Sequence, residues 1–272
     1  MALPRTLVEL FAHGDPAPED AALVLARDFC PDLDPERTLA SLDSLAETLR
    51  GRLGHAQDVR SQAAVLGTWF HDELGFRGNE TDYYDPRNSY LHEVLARRTG
   101  IPITLAVVLQ ALGRRAGLDV QGVGFPGHFL VRLGGPLGVL LDPFFGARLL
   151  DREALVTLAR RALGPEGVLR PEHLEPVSTR ALATRMLMNL KNLHERRQDH
   201  RAALVVCDRL VDLTGLPEPR RDRGLHALAL GALAAAEADL QAYLDARGPA
   251  APDARSVRAA LAQARRGGRA LQ

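Results

Sequence analysis

The sequence predicts an α+β protein: a helical N-terminal layer around a small antiparallel sheet, followed by an all-helical C-terminal third. Three observations carry this. Apolar residues recur at helical spacing through residues 1–80. Short apolar runs bounded by glycine and proline fill residues 118–142, as expected of strands. From residue 178 onward, apolar-periodic stretches alternate with Gly and Pro breaks.

The first helices fall at residues 3–12 and 18–29, the second with Ala21, Leu23, Val24 and Leu25 on its apolar side. Asp34-Pro35-Glu36 starts the next, an acidic cap followed by Pro at the first helical position. Leu39, Leu42, Leu45, Ala46 and Leu49 continue it. Residues 62–74 carry Val65, Leu66, Trp69 and Phe70 and stop at Gly75; Trp69 is read as core. Residues 75–79 form a loop.

Asp85-Pro86 is a second start signal, with Leu91, Val94 and Leu95 on one face and Gly100 closing the segment. Ile101-Pro102 is an extended step, because a residue before Pro avoids the helical region. Leu105, Val108, Leu109 and Leu112 then follow the spacing of a buried helix. Arg114 and Arg115 suit its last turn and Gly117 its C′ position. Residues 118–124, 128–133 and 137–142 read as strands, with Phe125-Pro126-Gly127 as a tight bend.

A three-residue loop, Gly134-Gly135-Pro136, makes Leu133 oppose Leu137, and His128 then opposes Asp142. Opposed side chains on one face approach within ~5 Å at Cβ, so an imidazole–carboxylate hydrogen bond is expected. Such a carboxylate fixes the tautomer of a histidine that serves a nucleophile. A buried histidine satisfied by any nearby acceptor is the alternative. Arg132 shares the strand parity of His128 and is expected to be solvated at the hairpin tip. A helix at 152–163 is stopped by Gly164-Pro165, and residues 169–177 read as a linker.

The last region predicts helices at 179–195, 200–213, 221–230, 233–245 and 254–264, then a tail, 267–272. Comparing RAALVVCDRLVDLTG with AAAEADLQAYLDARG gives a helix–turn–helix repeat of about 34 residues, the tetratricopeptide period. The expected domains are 1–177 and 178–266. The second is either a concave peptide-binding surface or a structural cap.

Composition bounds the function. The chain has 272 residues, 46% hydrophobic and 25% charged, as in a soluble globular protein. The 34 basic residues balance 34 acidic ones, giving no electrostatic case for nucleic acid or an anionic membrane as partner. Two cysteines make neither a disulfide framework nor a metal quartet. No signal peptide or membrane span is expected, and the cytoplasm is the default. No cofactor or metal is expected.

The order helix, Gly-bounded strand, strand with His, strand ending in Asp-Pro resembles the transglutaminase-like core, a cysteine-protease-like fold. More closely, GFRGNETDYYDPRNSYLHEVLARRTGIPIT, GVGFPGHFLVR and LLDPFFG resemble the bacterial invasion-regulator (Sir-B type) branch of that superfamily. The resemblance continues through RMLMNLKN, AALVVCDRLVDL, RDRGL and ADLQAYL. It implies that His128 takes the place of the catalytic His and Asp142 that of the catalytic Asp. It places the nucleophilic Cys near residues 102–104, where no Cys stands. The two cysteines, Cys30 and Cys207, lie far away in helical, partly apolar contexts.

Thr104 and Ser89 are the hydroxyls that come nearest to replacing the thiol. A hydroxyl needs a well-placed base, for which His128 is the candidate. Thr104 is read first as an N-cap, which Thr does well; Asn88 and Ser89 cap a helix or hold a loop. Tyr83, Tyr84, Asn88, Ser89, Phe125, Gly127 and His128 are the expected lining of a ligand cleft. The expected function is a non-catalytic, regulatory binding protein that engages a protein or peptide. The alternative is a hydrolase or acyl-transfer enzyme using Thr104 or Ser89 with His128 and Asp142. A metal site of His128, Asp142 and His92 or Asp85 ranks last, because nothing there has ligand spacing.

Overall fold

A computed structural model describes residues 3–270. The chain forms two compact units that divide between Met186 and Leu187, inside a helix.

The first unit opens with α1 (Leu7–Phe11), α2 (Pro18–Ala26), α3 (Pro35–Leu53) and α4 (Val59–Thr68). Asp34 accepts a hydrogen bond from the Arg37 amide and Pro35 opens α3, as the start signal predicts. A π-turn over Trp69–Glu73 follows α4, with Trp69 and Phe70 buried. The Asp85-Pro86 start is a two-step affair. A 3₁₀ turn runs over Pro86–Ser89, and α5 (Leu91–Arg97) begins only after the extended Tyr90. Arg77–Gly78 (β1) and Thr99–Gly100 (β2) pair in parallel.

The centre of the unit is α6 (Pro102–Arg115). Ile101 is extended before it, and every residue from Pro102 to Gly113 is buried. A helix apolar all round belongs inside a core, and α6 packs against α2, α3, α5 and the sheet. Its charged end is neutralised where Glu19 of α2 takes both Arg114 and Arg115.

The sheet is an antiparallel meander of β3 (Val120–Val123), β4 (Leu130–Leu133), β5 (Val139–Asp142) and β6 (Arg148–Leu150). β6 has no counterpart among the sequence-predicted strands. One face packs on α6 and the other, through Val123, Leu130 and Leu140, on Leu155 and Ala159 of α7 (Arg152–Leu163). Covered on both faces, β4 is buried at every position.

The hairpin register differs from the expectation by two residues: Leu133 opposes Val139, not Leu137. The cause is the loop. Gly138 N–H donates to Gly135 O at 3.0 Å, closing a four-residue β-turn with Pro136 in its preferred second position. Leu137 is thereby lifted out of the strand and is 100% exposed. A Cβ on Gly138 would sit 1.9 Å from Leu133 O, so only glycine fits.

Two further expectations are corrected. Arg132 is buried, not solvated, because its Nη2 donates to Leu174 O. The expected linker at 169–177 lies on the sheet: Pro171–Leu174 form a 3₁₀ turn, Val177 N–H donates to Gly122 O, and Pro176 bridges Val123.

Helix α8 (Thr179–Arg196) crosses the division. The second unit continues with α9 (His200–Thr214), α10 (Pro217–Ala229), α11 (Leu233–Arg247) and α12 (Ala254–Ala270). Consecutive helices from α9 to α12 pack in sequence, as a helical repeat requires. Polar ties join neighbouring helices: Lys191 of α8 pairs with Asp222 of α10, Arg221 of α10 with Asp253 before α12, and Arg223 of α10 with Asp239 of α11 and Asp208 of α9. Of the expected tail, residues 267–270 continue α12, and residues 271–272 lie outside the described residues.

Candidate functional site

His128 is not in β4 but ends the tight bend before it. His128 N–H donates to Phe125 O at 3.1 Å, and Gly127 occupies the turn's third position with φ +63°. Pro at the second position and a left-handed glycine at the third are what this turn demands. Phe125 is fully buried against Val123 and Leu130, so its ring belongs to the core and not to a cleft lining. Gly127 is exposed beside His128.

His128 and Asp142 meet although they are not opposed. Extending the observed register puts Leu130 opposite Asp142, with His128 two residues further on, a diagonal that a ring can span. His128 Nε2 lies 2.8 Å from Asp142 Oδ1. Asp142 is fully buried at the end of β5 and its Oδ1 also accepts from the amides of Phe144 and Phe145, at 3.0 and 3.3 Å. Its Oδ2 is buried without a partner. A carboxylate acceptor puts the ring hydrogen on Nε2, which leaves Nδ1 with a free lone pair. Phe145 stacks on the imidazole and Phe144 meets it edge-on, both at 6.0 Å between centroids.

The aromatic cluster extends outward. Tyr83 meets Phe144 edge-on at 6.2 Å and Tyr84 meets Tyr83 at 5.4 Å. The two tyrosines are 41% and 48% exposed, and partial burial pushes the Tyr83 hydroxyl above the usual range. Asn88 is not in this surface. It is fully buried: its amide donates to Asp82 O and Tyr83 O and its Oδ1 accepts from Asn79. Asn88 therefore holds the loop that carries the tyrosines. Ser89, also buried, closes the 3₁₀ turn behind it.

Thr104 is not the N-cap of α6. That place belongs to Ile101, and Thr104 is the third helical residue, fully buried with its Oγ1 unpartnered. Pro102 already fixes the helix start, so no side-chain cap is needed. Neither Thr104 nor Ser89 hydrogen-bonds to His128. Cys30 lies just beyond the end of α2, half-buried, and Cys207 is buried in α9. Burial pushes the Cys207 thiol up to about 12.

One residue at the site had no sequence signal. Arg185, on α8, donates from Nη2 to Phe125 O at 2.9 Å and His128 O at 2.6 Å and lies over the Phe129 ring. It pins both ends of the His128 turn from about sixty positions away in the chain.

Among the described residues no three His, Cys, Asp or Glu side chains gather as a metal-holding group. Asp85 is taken by Arg87 and Arg97, and His92 lies beside Glu93. No helix of the described residues is long and apolar enough to cross a membrane.

Comparison with known proteins places this geometry. Residues 36–188 match the transglutaminase-like superfamily, and residues 190–262 match the tetratricopeptide repeat. A UPF0162 protein of Xylella fastidiosa is 40% identical over 228 residues, covering 82% of this chain and 81% of the relative. A UPF0162 protein of Vibrio cholerae is 31% identical, covering 75% and 77%. The F-box only protein 21 of Mus musculus is 37% identical over 115 residues, 40% of this chain and 18% of that protein. No solved structure matches the chain. The α+β fold, the buried helix leading to the strands and these matches together mean that the chain belongs to the transglutaminase-like superfamily, with a tetratricopeptide-repeat region following that domain.

Proposed function

We propose that this chain is a non-catalytic, regulatory binding protein that engages a protein or peptide through the aromatic surface around His128. The observation that carries the reading is the first turn of α6. Pro102-Ile103-Thr104 stands where the resemblance places a thiol, and the Thr104 hydroxyl makes no hydrogen bond to His128. An imidazole oriented by a carboxylate forms no acyl-enzyme without a side-chain nucleophile in reach. Exposed Tyr83 and Tyr84 supply what peptide recognition uses: rigid rings with polar tips. A tetratricopeptide-repeat region beside such a domain suits protein–protein interaction. The two free thiols fit a reducing compartment, and the cytoplasm is the compartment we propose.

A second reading is favoured by one observation. Thr104 Oγ1 is a buried hydroxyl with no partner, near the N-terminus of the helix that carries the nucleophile in the resemblance. In that reading Thr104 Oγ1 attacks an acyl carbonyl, His128 takes the hydroxyl proton and returns it to the departing amine or alcohol as the acyl–leaving-group bond breaks, and water then releases the acyl group. One experiment separates the two. The purified chain is assayed against activated esters and amides, and peptides are selected on it from a displayed library. The binding reading expects no turnover, and peptides whose affinity falls about tenfold or more in Tyr84→Ala. Turnover that disappears in both Thr104→Ala and His128→Ala overturns it in favour of the enzyme.

A further inference from the structure

A cavity of about 480 Å³ opens between the start of α3 and helix α5, and it shares no residue with the surface around His128. Arg98 lines it. This arginine ends α5 in the left-handed region, with φ +57°, where Gly or Asn is the usual choice. Its guanidinium lies over the Phe76 ring at 4.6 Å, and its Nη1 is buried without a hydrogen-bond partner. Among the described residues no carboxylate pairs with it, and burial pulls its pKa below the ordinary arginine value. A half-buried cation without a counter-ion is costly, so a residue of this kind at a position that prefers glycine calls for an anion.

His92 lines the same cavity. Its ring stacks near Tyr90 and its Nδ1 is buried without a partner. The remaining character of the cavity limits the ligand. Leu33, Leu45 and Leu95 make apolar walls. Asp32, Asp34 and Arg37 also line it, Asp34 already capping α3. Two carboxylates repel a phosphate dianion more than a monoanion, and an inorganic ion leaves the leucines uncovered. A pocket with apolar walls and a few converging polar groups suits an amphipathic organic molecule.

We propose that this cavity binds a small amphipathic carboxylate, its head paired with the Arg98 guanidinium, its aliphatic body on Leu33, Leu45 and Leu95. The site is independent of the peptide-binding reading and needs neither His128 nor Asp142.

The test is titration of the full-length ¹⁵N-labelled chain with hexanoate, with hexanol and inorganic phosphate as controls, followed by NMR. Hexanoate is expected to shift the His92 and Arg98 signals saturably, and the two controls are not. Arg98→Gln is expected to weaken hexanoate binding about tenfold or more, the loss of a charged hydrogen bond. Ala96 is an exposed residue of the lining, so Ala96→Trp obstructs the cavity without disturbing the core and should abolish binding. His128→Ala should leave the affinity unchanged. The proposal is overturned by no saturable shift with hexanoate, by phosphate or hexanol binding equally well, or by binding that survives both Arg98→Gln and Ala96→Trp.

Discussion

His128 Nε2 and Asp142 Oδ1 stand 2.8 Å apart, and the same oxygen accepts from the amides of Phe144 and Phe145. Asp142 thus fixes the imidazole and the turn that carries its two aromatic neighbours. Removing this carboxylate leaves buried donors unmet. Asp142→Ala is expected to destabilise the first unit by about 2–4 kcal/mol in urea unfolding. Ring ¹⁵N shifts of His128 should report the Nε2–H tautomer in the wild type and a mixture in the variant. A wild-type ring protonated on Nδ1 alone would contradict the geometry.

Arg185 offers a separate handle on the same turn. Its Nη2 bonds to two carbonyls and its guanidinium carbon lies over the Phe129 ring at 5.5 Å. Arg185→Met should cost about 1–3 kcal/mol by leaving two carbonyls unmet, and should speed amide exchange at His128. Arg185→Lys should recover only part, since an ammonium can donate but cannot stack as a plane. Equal exchange rates in wild type and Arg185→Met would show that the turn holds itself.

Which parts of this were legible in the sequence follows from how local their causes are. The helix starts at Asp34-Pro35 and Ile101-Pro102 were readable because caps and prolines act on their neighbours. Pairing of His128 with Asp142 was expected from a register that is two residues off. The Pro136-Leu137 turn shifts the strands, and the bend at Gly127 brings the ring back on a diagonal. Asn88 holds the preceding loop, one of the two roles its position suggests, whereas Arg132 and Arg185 escape the sequence for one reason. Each bonds to the backbone of a segment that the sequence does not place next to it. Thr104 resembled a cap because the choice between Ile101 and Thr104 depends on where Pro102 sets the first turn.

Thiol reactivity follows from burial. Cys207 has no exposed surface and its pKa is pushed up to about 12, so it holds almost no thiolate at neutral pH. Cys30 is half-buried, its pKa raised by burial and by Glu93. An Ellman titration of the native chain should therefore show one slow thiol, assigned to Cys30 by Cys30→Ser, with the second appearing only on denaturation. Rapid native labelling of Cys207 would overturn the burial and reopen thiol chemistry in the second unit.

Acid should weaken the protein in a window set by its histidines. Burial is the largest cause lowering the pKa of His92, His194 and His226, against the opposing pull of Glu93, Asp199 and Glu195 respectively. The folded state therefore binds fewer protons than the unfolded chain below the ordinary histidine value of about 6.5. Stability from these residues is present above that value and is lost as pH falls from it through the depressed folded values. Carboxylates held low by their partners, such as Asp85 beside Arg87 and Asp253 beside Tyr243, act only further down, below about 4. Urea unfolding at about pH 7.5 and about pH 5.5 isolates the histidine window. The wild type should be less stable at the lower pH, and the double variant His194→Gln, His226→Gln should show a flatter dependence. Because both residues lie in the second unit, a tryptophan signal from Trp69 in the first should respond less than helix content does. A wild type that gains stability on acidification would mean that these imidazoles are more solvated, and more readily charged, than their burial implies.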